Sequence, residues 1–318
     1  MQRPILIVDG LNLFTRAYSA FPQMSSHGYQ LGGCIGFLKT LQRLARDNSP
    51  SRICIAWEGG GSQRRRSIFS EYKLNRRPEK LNRFYGEDIP DTDQNRQYQL
   101  LKLIAMLKVV PVCQIYVPNC EGDDIIAFLC RGPYRNDRKI VASSDKDMYQ
   151  LMDENTNLYS FHKKRFVTKD DIFQEFGIKS HNFAVAKALC GDTSDNIPGI
   201  KGFGFKSVAS KFPFLGSDQQ ILIQDVINYA ASHSSESTLY KRLVEFQEDF
   251  RRNWDLVHLD GSMLSGDQIM RVERLISTFV PTTNKMEFIR HLVKEGVNDF
   301  NVENFFYDFH CIEGIKLQ

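Results

Sequence analysis

The feature that most constrains this chain is a unit repeated through its first two thirds. A short apolar run ends in acidic residues, and a stretch with apolar residues at helical spacing follows. Ile5–Val8 is closed by Asp9, Ile53–Trp57 by Glu58, and Ile140–Ala142 is followed by Asp145 and Asp147. A further run, Val109–Val117, precedes Glu121, Asp123 and Asp124. Short apolar runs read as buried strands, whereas Leu31–Leu44, Tyr98–Leu107, Ile125–Cys130 and Met148–Met152 read as helices. Strands alternating with helices predict an α/β fold with a mostly parallel sheet flanked by helices.

From Asn157 to Val167 the pattern is that of a hairpin, with Lys163, Lys164 and Arg165 at its turn, and Asp170–Phe176 reads as a short helix. After Phe183 the chain becomes mainly helical. Gly191–Lys211 is interrupted by Pro198, Gly199, Gly202 and Gly204, the punctuation of a tight hairpin between two helices. Residues 216–318 read as helical with few chemical signals. The expected organisation is an α/β core over residues 1–178 and a helical lobe over residues 179–318, with the hairpin element at about 184–211.

No stretch of the 318 residues approaches the roughly 18 apolar residues that span a bilayer, so no membrane segment is expected. The N-terminal apolar run is too short for a signal peptide and is closed by Asp9, which predicts a cytoplasmic protein. Seven cysteines occur without a Cys-x-x-Cys pair, so buried reduced thiols are expected rather than a zinc ribbon. A net charge of +3 says little about partners, but its local distribution says more.

In a parallel α/β sheet, ligand sites form beyond the carboxyl ends of the strands, which is where the acids fall. Asn119 is a candidate helix N-cap, which would place Glu121, Asp123 and Asp124 in a first turn, where the helix dipole favours negative charge. The dipole accounts comfortably for one or two acids, but three so close repel one another. Glu121 and Asp124 are spaced to share a helix face, and Asp145 and Asp147 share a strand face if the strand continues. Asp192 and Asp195 form a further pair just before the hairpin. Such clustering demands compensating cations. With no cysteine ligands and no paired histidines, the oxygen donors point to Mg²⁺, with Mn²⁺ able to substitute, rather than to zinc. Two such ions about 4 Å apart are a common device for phosphodiester cleavage.

Residues 62–83 hold eight basic residues, Arg64, Arg65, Arg66, Lys73, Arg76, Arg77, Lys80 and Arg83, against Glu71 and Glu79, a local charge of +6. Phe69, Tyr72, Phe84 and Tyr85 are interleaved or adjacent. Cations neutralise phosphates and aromatic rings stack on bases, so the pattern favours nucleic-acid binding over a solvated basic loop. The run Gly199-Ile200-Lys201-Gly202-Phe203-Gly204 has little bulk, which lets a backbone approach a phosphate, with Lys201 and Lys206 as natural contacts. Such contacts ignore base identity, so recognition would follow shape. A plain helix–helix turn is the alternative.

The strings Ile7-Val8-Asp9-Gly10, Glu121-Gly122-Asp123-Asp124, Ser144-Asp145-Lys146-Asp147 and Gly191-Asp192-Thr193-Ser194-Asp195-Asn196-Ile197-Pro198-Gly199 occur in that order. Through them the chain resembles the 5′-3′ exonuclease and flap endonuclease family, which includes bacteriophage flap endonucleases and ribonuclease H and the 5′ nuclease domain of bacterial DNA polymerase I. The resemblance runs from Ile5 to about Lys211 and weakens beyond. It implies a PIN-like sheet and a helix–hairpin–helix element that grips duplex DNA around a K⁺ ion. It implies Asp9, Glu58, Glu121 and Asp123 as the catalytic-metal set. Asp145, Asp147, Asp192 and Asp195 would form the second-metal set, with Asp124 in either shell. One departure is Glu58-Gly59, where the family commonly has Asp-Gly, so the carboxylate is one methylene longer.

The segment Glu71-Tyr72-Lys73-Leu74-Asn75-Arg76 is similar to the family's Tyr-Lys-x-x-Arg stretch at the base of a helical arch. The arch falls within about residues 62–97, and the resemblance implies that Lys73 and Arg76 hold the scissile phosphate and that Arg16 lies near the 5′ end. Gly199, Gly202 and Gly204, with Arg64, Arg65, Tyr72 and Arg77, complete the expected DNA contacts. The implied activity is structure-directed hydrolysis by a two-metal mechanism in the removal of RNA primers or flaps during replication. Its substrates would be DNA with a 5′ flap, nick or branch, and RNA–DNA hybrid, and its products would carry 5′ phosphate and 3′ hydroxyl. A monomer is expected. Residues 216–318 are a candidate dock for a single-strand-binding protein or clamp, although they carry no motif for either. The end at Gln318 without a polymerase segment suggests a stand-alone enzyme, as in a bacteriophage. Two other readings compete. A toxin-like ribonuclease of the PIN type is disfavoured by the length and the second carboxylate pair. A non-catalytic branched-DNA-binding protein is disfavoured by the intact carboxylate set.

Overall fold

The computed structural model describes residues 2–74 and 93–317. Arg76, Arg77 and most of the expected arch lie outside the described residues. The chain opens with strand β1 (Ile5–Asp9), helices α1 (Gly10–Ala20) and α2 (Gly32–Asn48), strand β2 (Arg52–Trp57) and helix α3 (Gln63–Ile68). Then come α4 (Asp93–Leu107), β3 (Cys113–Tyr116), α5 (Gly122–Arg131), β4 (Lys139–Ala142), a 3₁₀ turn (Lys146–Leu151), β5 (Thr156–Ser160), β6 (Arg165–Val167) and α6 (Lys169–Phe176). The remainder comprises α7 (Phe183–Cys190), α8 (Phe205–Lys211), α9 (Ile223–Ser232), α10 (Thr238–Glu245), α11 (Gln247–Val257), α12 (Gly266–Thr278), β7 (Thr282–Thr283), α13 (Lys285–Lys294), α14 (Val302–Tyr307) and β8 (Lys316–Leu317).

Strands β1 to β5 run parallel and β6 returns antiparallel, in a six-stranded sheet of order β3-β2-β1-β4-β5-β6. The chain winds outward from β1 to β3, then crosses to β4 on the other side. β1 and β4 therefore flank the point where strand order reverses, and a crevice opens there beyond their carboxyl ends. β1 is buried along its length, which is why its sequence is unbroken Ile-Leu-Ile-Val. Its side chains alternate between two cores. Leu6 and Val8 join Phe14, Leu38 and Leu41 of α1 and α2. Ile5 and Ile7 join Ile125, Phe183, Phe212 and Phe250 on the opposite face.

The expected boundary near residue 178 does not divide the packing. Residues of α7, α8 and α11 belong to one sheet face, while Phe288, Leu292, Phe305 and Phe309 return to the α1–α2 side. Apolar side chains of those helices thus share continuous cores with residues of the sheet. Residues 216–318 also carry more than helix, since β7 and β8 pair in parallel. Among the described residues no helix is long and apolar enough to cross a membrane. All seven cysteines are free, and Cys190 alone among them is not fully buried.

Two local expectations are corrected. Asn119 is not the N-cap of α5. It stands at φ 60°, and Glu121 takes the cap position with an extended backbone. β4 stops at Ala142, so Asp145 and Asp147 do not share a strand face. Instead Asp145 caps the 3₁₀ turn, and its Oδ1 accepts from the Asp147 N–H at 2.9 Å. The ladder with β1 ends at the Val8–Ala142 pair, which frees the backbone beyond to turn.

Candidate active site

β1 delivers Asp9 to the crevice. Its Oδ1 accepts from the Asn12 N–H at 3.0 Å and its Oδ2 from the Ser143 hydroxyl at 2.9 Å. β2 leads to Glu58, and the turn that follows is tied to the loop before α5 by two backbone bonds. Gly59 N–H donates to the Cys120 carbonyl at 3.0 Å, and Asn119 N–H to the Gly59 carbonyl at 2.8 Å. A Cβ at Gly59 would meet the Val117 carbonyl at 1.7 Å, so this approach requires glycine. With α5 and the end of β4, these elements gather Asp9, Glu58, Glu121, Asp123 and Asp145 around one cleft of about 400 Å³, which Arg16 and Lys73 also line.

A second acidic group adjoins the first. Asp147, Asp192 and Asp195 bring carboxylate oxygens within 4.8 Å of one another. Asp192 and Asp195 sit on a loop closed by reciprocal backbone bonds between Asp192 and Ile197 at 2.9 and 2.8 Å. At Gly191 φ is 72°, and a Cβ there would meet the Gly199 nitrogen at 2.2 Å. The same loop holds the segment from Glu71 to Lys73. Lys73 N–H donates to the Asp195 carbonyl at 2.9 Å, and Asn196 Nδ2 donates to the Glu71 carbonyl at 2.8 Å. Lys73 stands at φ 58°, a sparsely populated conformation for a residue with a side chain. Its ammonium lies 2.8 Å from Glu121 Oε2 and 3.7 Å from Asp195 Oδ2, between the two acidic groups.

The electrostatics are those of a crowded anionic site. Burial, with the charges of Asp145 and Asp9, raises the Asp123 carboxyl well above the usual range. Burial pushes Asp9 up to about 6 against the hydrogen bonds from Asn12 and Ser143. Asp145 is raised chiefly by burial, with Lys187 opposing. Glu121 differs: burial works to raise it, but Lys73 and Arg65 together hold it below the ordinary value. Burial, then the neighbouring Glu121 and Asp195, push the Tyr72 phenol far up, so it stays a donor. Its hydroxyl donates to Glu121 Oε2 at 2.9 Å and Asp195 Oδ2 at 3.2 Å. Glu121 Oε1 is buried with no hydrogen-bond partner. A divalent cation satisfies such an oxygen and relieves the repulsion among its neighbours, so the all-carboxylate donor set fits hard divalent ions.

Three expected site residues are engaged differently from the expectation. Arg65, expected on DNA, is 1% exposed and forks onto Asp124 with two bonds of 2.7 Å. Asp124, expected in a metal shell, commits its carboxylate to that pair and lines neither acidic group. Consecutive residues on a helix point about 100° apart, so Asp123 faces the cleft while Asp124 faces the interior. Tyr72 is buried and donates to carboxylates rather than presenting a face for stacking. Arg64 is exposed, with its guanidinium on the Ser262 carbonyl, and Gly199, Lys201, Gly202, Gly204 and Lys206 are exposed between and on α7 and α8. Sequence reasoning missed Lys187. It is 6% exposed, and its ammonium pairs with Asp147 and, at 2.8 Å, with Asp192. The available signal was a lysine within the apolar string Phe183–Leu189, just before Asp192.

The family model of the 5′-3′ exonuclease N-terminal resolvase-like domain matches residues 4–177. The 5′-3′ exonuclease of Buchnera aphidicola subsp. Schizaphis graminum is 32% identical over 210 residues, 65% of this chain and 68% of that protein. The DNA polymerase I of Pseudomonas aeruginosa is 29% identical over 223 residues, 70% of this chain and 23% of that protein. Among solved structures, the bacteriophage T5 flap endonuclease in complex with DNA and metal ions matches with a TM-score of 0.71 at 22% identity, covering 86% of this chain and 98% of that one. With a matched domain that contains the whole first acidic group, the chain belongs to the 5′-3′ exonuclease family.

Proposed function

We propose that the chain hydrolyses phosphodiester bonds near the 5′ end of structured DNA, at a flap, nick or branch or in RNA–DNA hybrid, using two Mg²⁺ ions. The observation that carries this reading is the partition of the acids. Asp9, Glu58, Glu121, Asp123 and Asp145 surround one cleft, and Asp147, Asp192 and Asp195 form an adjoining group. Divalent ions bound there supply an activated water and neutralise charge that develops on phosphoryl oxygens. Mn²⁺ has the same ligand preference. The T5 neighbour, whose complex holds DNA and metal ions, supports the reading.

The chain's own residues bind and orient. Asn12 and Ser143 fix the Asp9 carboxylate, and Tyr72 spans Glu121 and Asp195. Lys73, at the cleft, is placed to draw a phosphate toward the acids and to stabilise its developing charge. Arg76, outside the described residues, belongs to the same role, and Arg77 to the strand's path. Arg16 lines the cleft and offers a cation to a 5′-terminal phosphate. Lys201 and Lys206, with the exposed backbone at Gly199, Gly202 and Gly204, contact duplex phosphates, with K⁺ at the hairpin. The biological role in this reading is primer or flap removal by a monomer, with the α9–α14 region as the candidate dock for a single-strand-binding protein or clamp.

A 5′-flap DNA assayed with and without Mg²⁺ tests the proposal. Cleavage should require the ion and disappear in Asp123→Asn, while that variant still binds the flap. Full activity in Asp123→Asn, or cleavage in excess chelator, overturns the assignment.

A further inference from the structure

Behind the cleft lies a buried ion cluster that the proposed chemistry does not use. Arg65 on α3 and Asp124 on α5 are each 1% exposed. Nη1 of Arg65 donates to Asp124 Oδ2 and Nη2 to Oδ1, each at 2.7 Å. Nη1 also reaches Glu121 Oε2 at 3.4 Å, and Nε donates to the Leu256 carbonyl at the end of α11 at 2.8 Å. The arginine is therefore fixed from three sides, and none of them is solvent.

Glu121 is held by one oxygen only. Its Oε2 receives the Tyr72 hydroxyl at 2.9 Å, the Lys73 ammonium at 2.8 Å and Arg65 at 3.4 Å. Its Oε1 is buried without a partner. In the proposed reaction Lys73 turns to a phosphate, and Tyr72 is neutral. Arg65 is then the fixed charge that keeps Glu121 oriented by Oε2 with Oε1 free. Asp124 matches that charge, so the guanidinium does not present a net positive charge to an ion in the cleft.

We propose that Arg65 is a positioning residue for the cation-binding carboxylate Glu121, that Asp124 is its anchor rather than a ligand, and that the pair sets the affinity of the site for divalent ions. The inference rests on the reading of Glu121 as a cation ligand. Removing a group that orients a ligating carboxylate typically weakens metal binding about ten- to a hundredfold.

Mn²⁺ binding to the whole protein without DNA, followed by electron paramagnetic resonance, tests it. Arg65→Gln should bind Mn²⁺ about tenfold more weakly than the unaltered protein. Its affinity for 5′-flap DNA in chelator should stay within about twofold, because no phosphate contact is lost. Unchanged Mn²⁺ affinity overturns the proposal, and so does an equal loss of DNA affinity, which would make Arg65 a DNA contact. Breaking a buried pair is strongly destabilising, so Arg65→Met/Asp124→Leu, which replaces both charges with apolar groups, is measured alongside. A folded double variant with the unaltered affinity also overturns it. If the unaltered protein binds no Mn²⁺, the reading of the carboxylates fails and this inference with it. Loss confined to the variants supports both.

Discussion

Lys73 joins backbone strain to chemistry at a single position. It stands at φ 58°, its N–H is held by the Asp195 carbonyl, and its ammonium sits between two acidic groups. Lys73→Ala is expected to slow single-turnover cleavage of 5′-flap DNA by on the order of a hundredfold, the usual loss for a preorganised charge at a reacting centre. An unchanged rate removes it from the chemistry. Gly191 holds the other acidic group in place, since its backbone runs against Gly199 at positive φ. Gly191→Ala should cost about 1–3 kcal/mol of strain and displace Asp192 and Asp195. Mn²⁺ titration should then find one fewer occupied site, and a full complement would show that the loop absorbs the methyl group. Asp9 was legible as a candidate because an acid ending an apolar strand has few structural uses, and Asp123, Asp192 and Asp195 because they crowd with other acids in short strings. Asp124 and Arg65 were misread because adjacent residues on a helix differ only in facing, which local sequence does not record.

The strands of the six-stranded sheet emerged readily from the sequence, but their ends did not, nor did β7 and β8. Val109–Val117 is apolar but for Gln114, yet only Cys113–Tyr116 joins the ladder. Val110 and Val112 are buried in the turn after α4, and apolar content does not distinguish a buried turn from a strand. Helix α6 was expected as a short helix over Asp170–Phe176, and its start carries a cap at Thr168. The Thr168 hydroxyl accepts from the Asp171 N–H at 3.2 Å, and the Asp171 carboxylate accepts from the Thr168 N–H at 2.8 Å. Thr168→Ala should cost about 1 kcal/mol in urea unfolding, and no change would mean the cap is dispensable. The Asp171 carboxyl is lowered from 3.8 to about 2, first by Arg165 and then by the Thr168 N–H and hydroxyl. A depressed acid stabilises the fold above its unfolded value. Its contribution is thus complete above about pH 4 and fades as pH falls through about 2. The stability difference between the unaltered protein and Asp171→Asn should shrink over that window. A constant difference would show that the charge is not involved.

At the scale of the whole molecule, the C-terminal residues brace α4. Glu295 is buried and accepts from the Tyr98 hydroxyl and, at 2.5 Å, the Lys102 ammonium, both on α4. Beside it Phe288 and Phe305 stack with ring centroids 5.0 Å apart, within the cluster that holds Leu6 and Val8. Phe305→Ala should therefore cost about 3–5 kcal/mol of global stability, as a large cavity in a close-packed core does. If residues 282–317 instead formed an independent appendage, the main unfolding transition would not move.

The sequence by itself determined the α/β alternation, the placing of acids at strand ends and the glycines of the Asp192–Asp195 loop, because each depends on residues close in the chain. The match to a family of nucleases rests on the same local strings. Tertiary structure alone decided which acids share a cleft, that Asp145 lines it beside Asp9, and that Lys187 reaches Asp147 and Asp192. It also decided that Arg65 points inward to Asp124 and that C-terminal residues such as Phe288 and Phe305 join the same core as Leu6 and Val8. These relations join residues far apart in sequence, and they follow from how the helix faces and the strand order at β1 and β4 bring the pieces together.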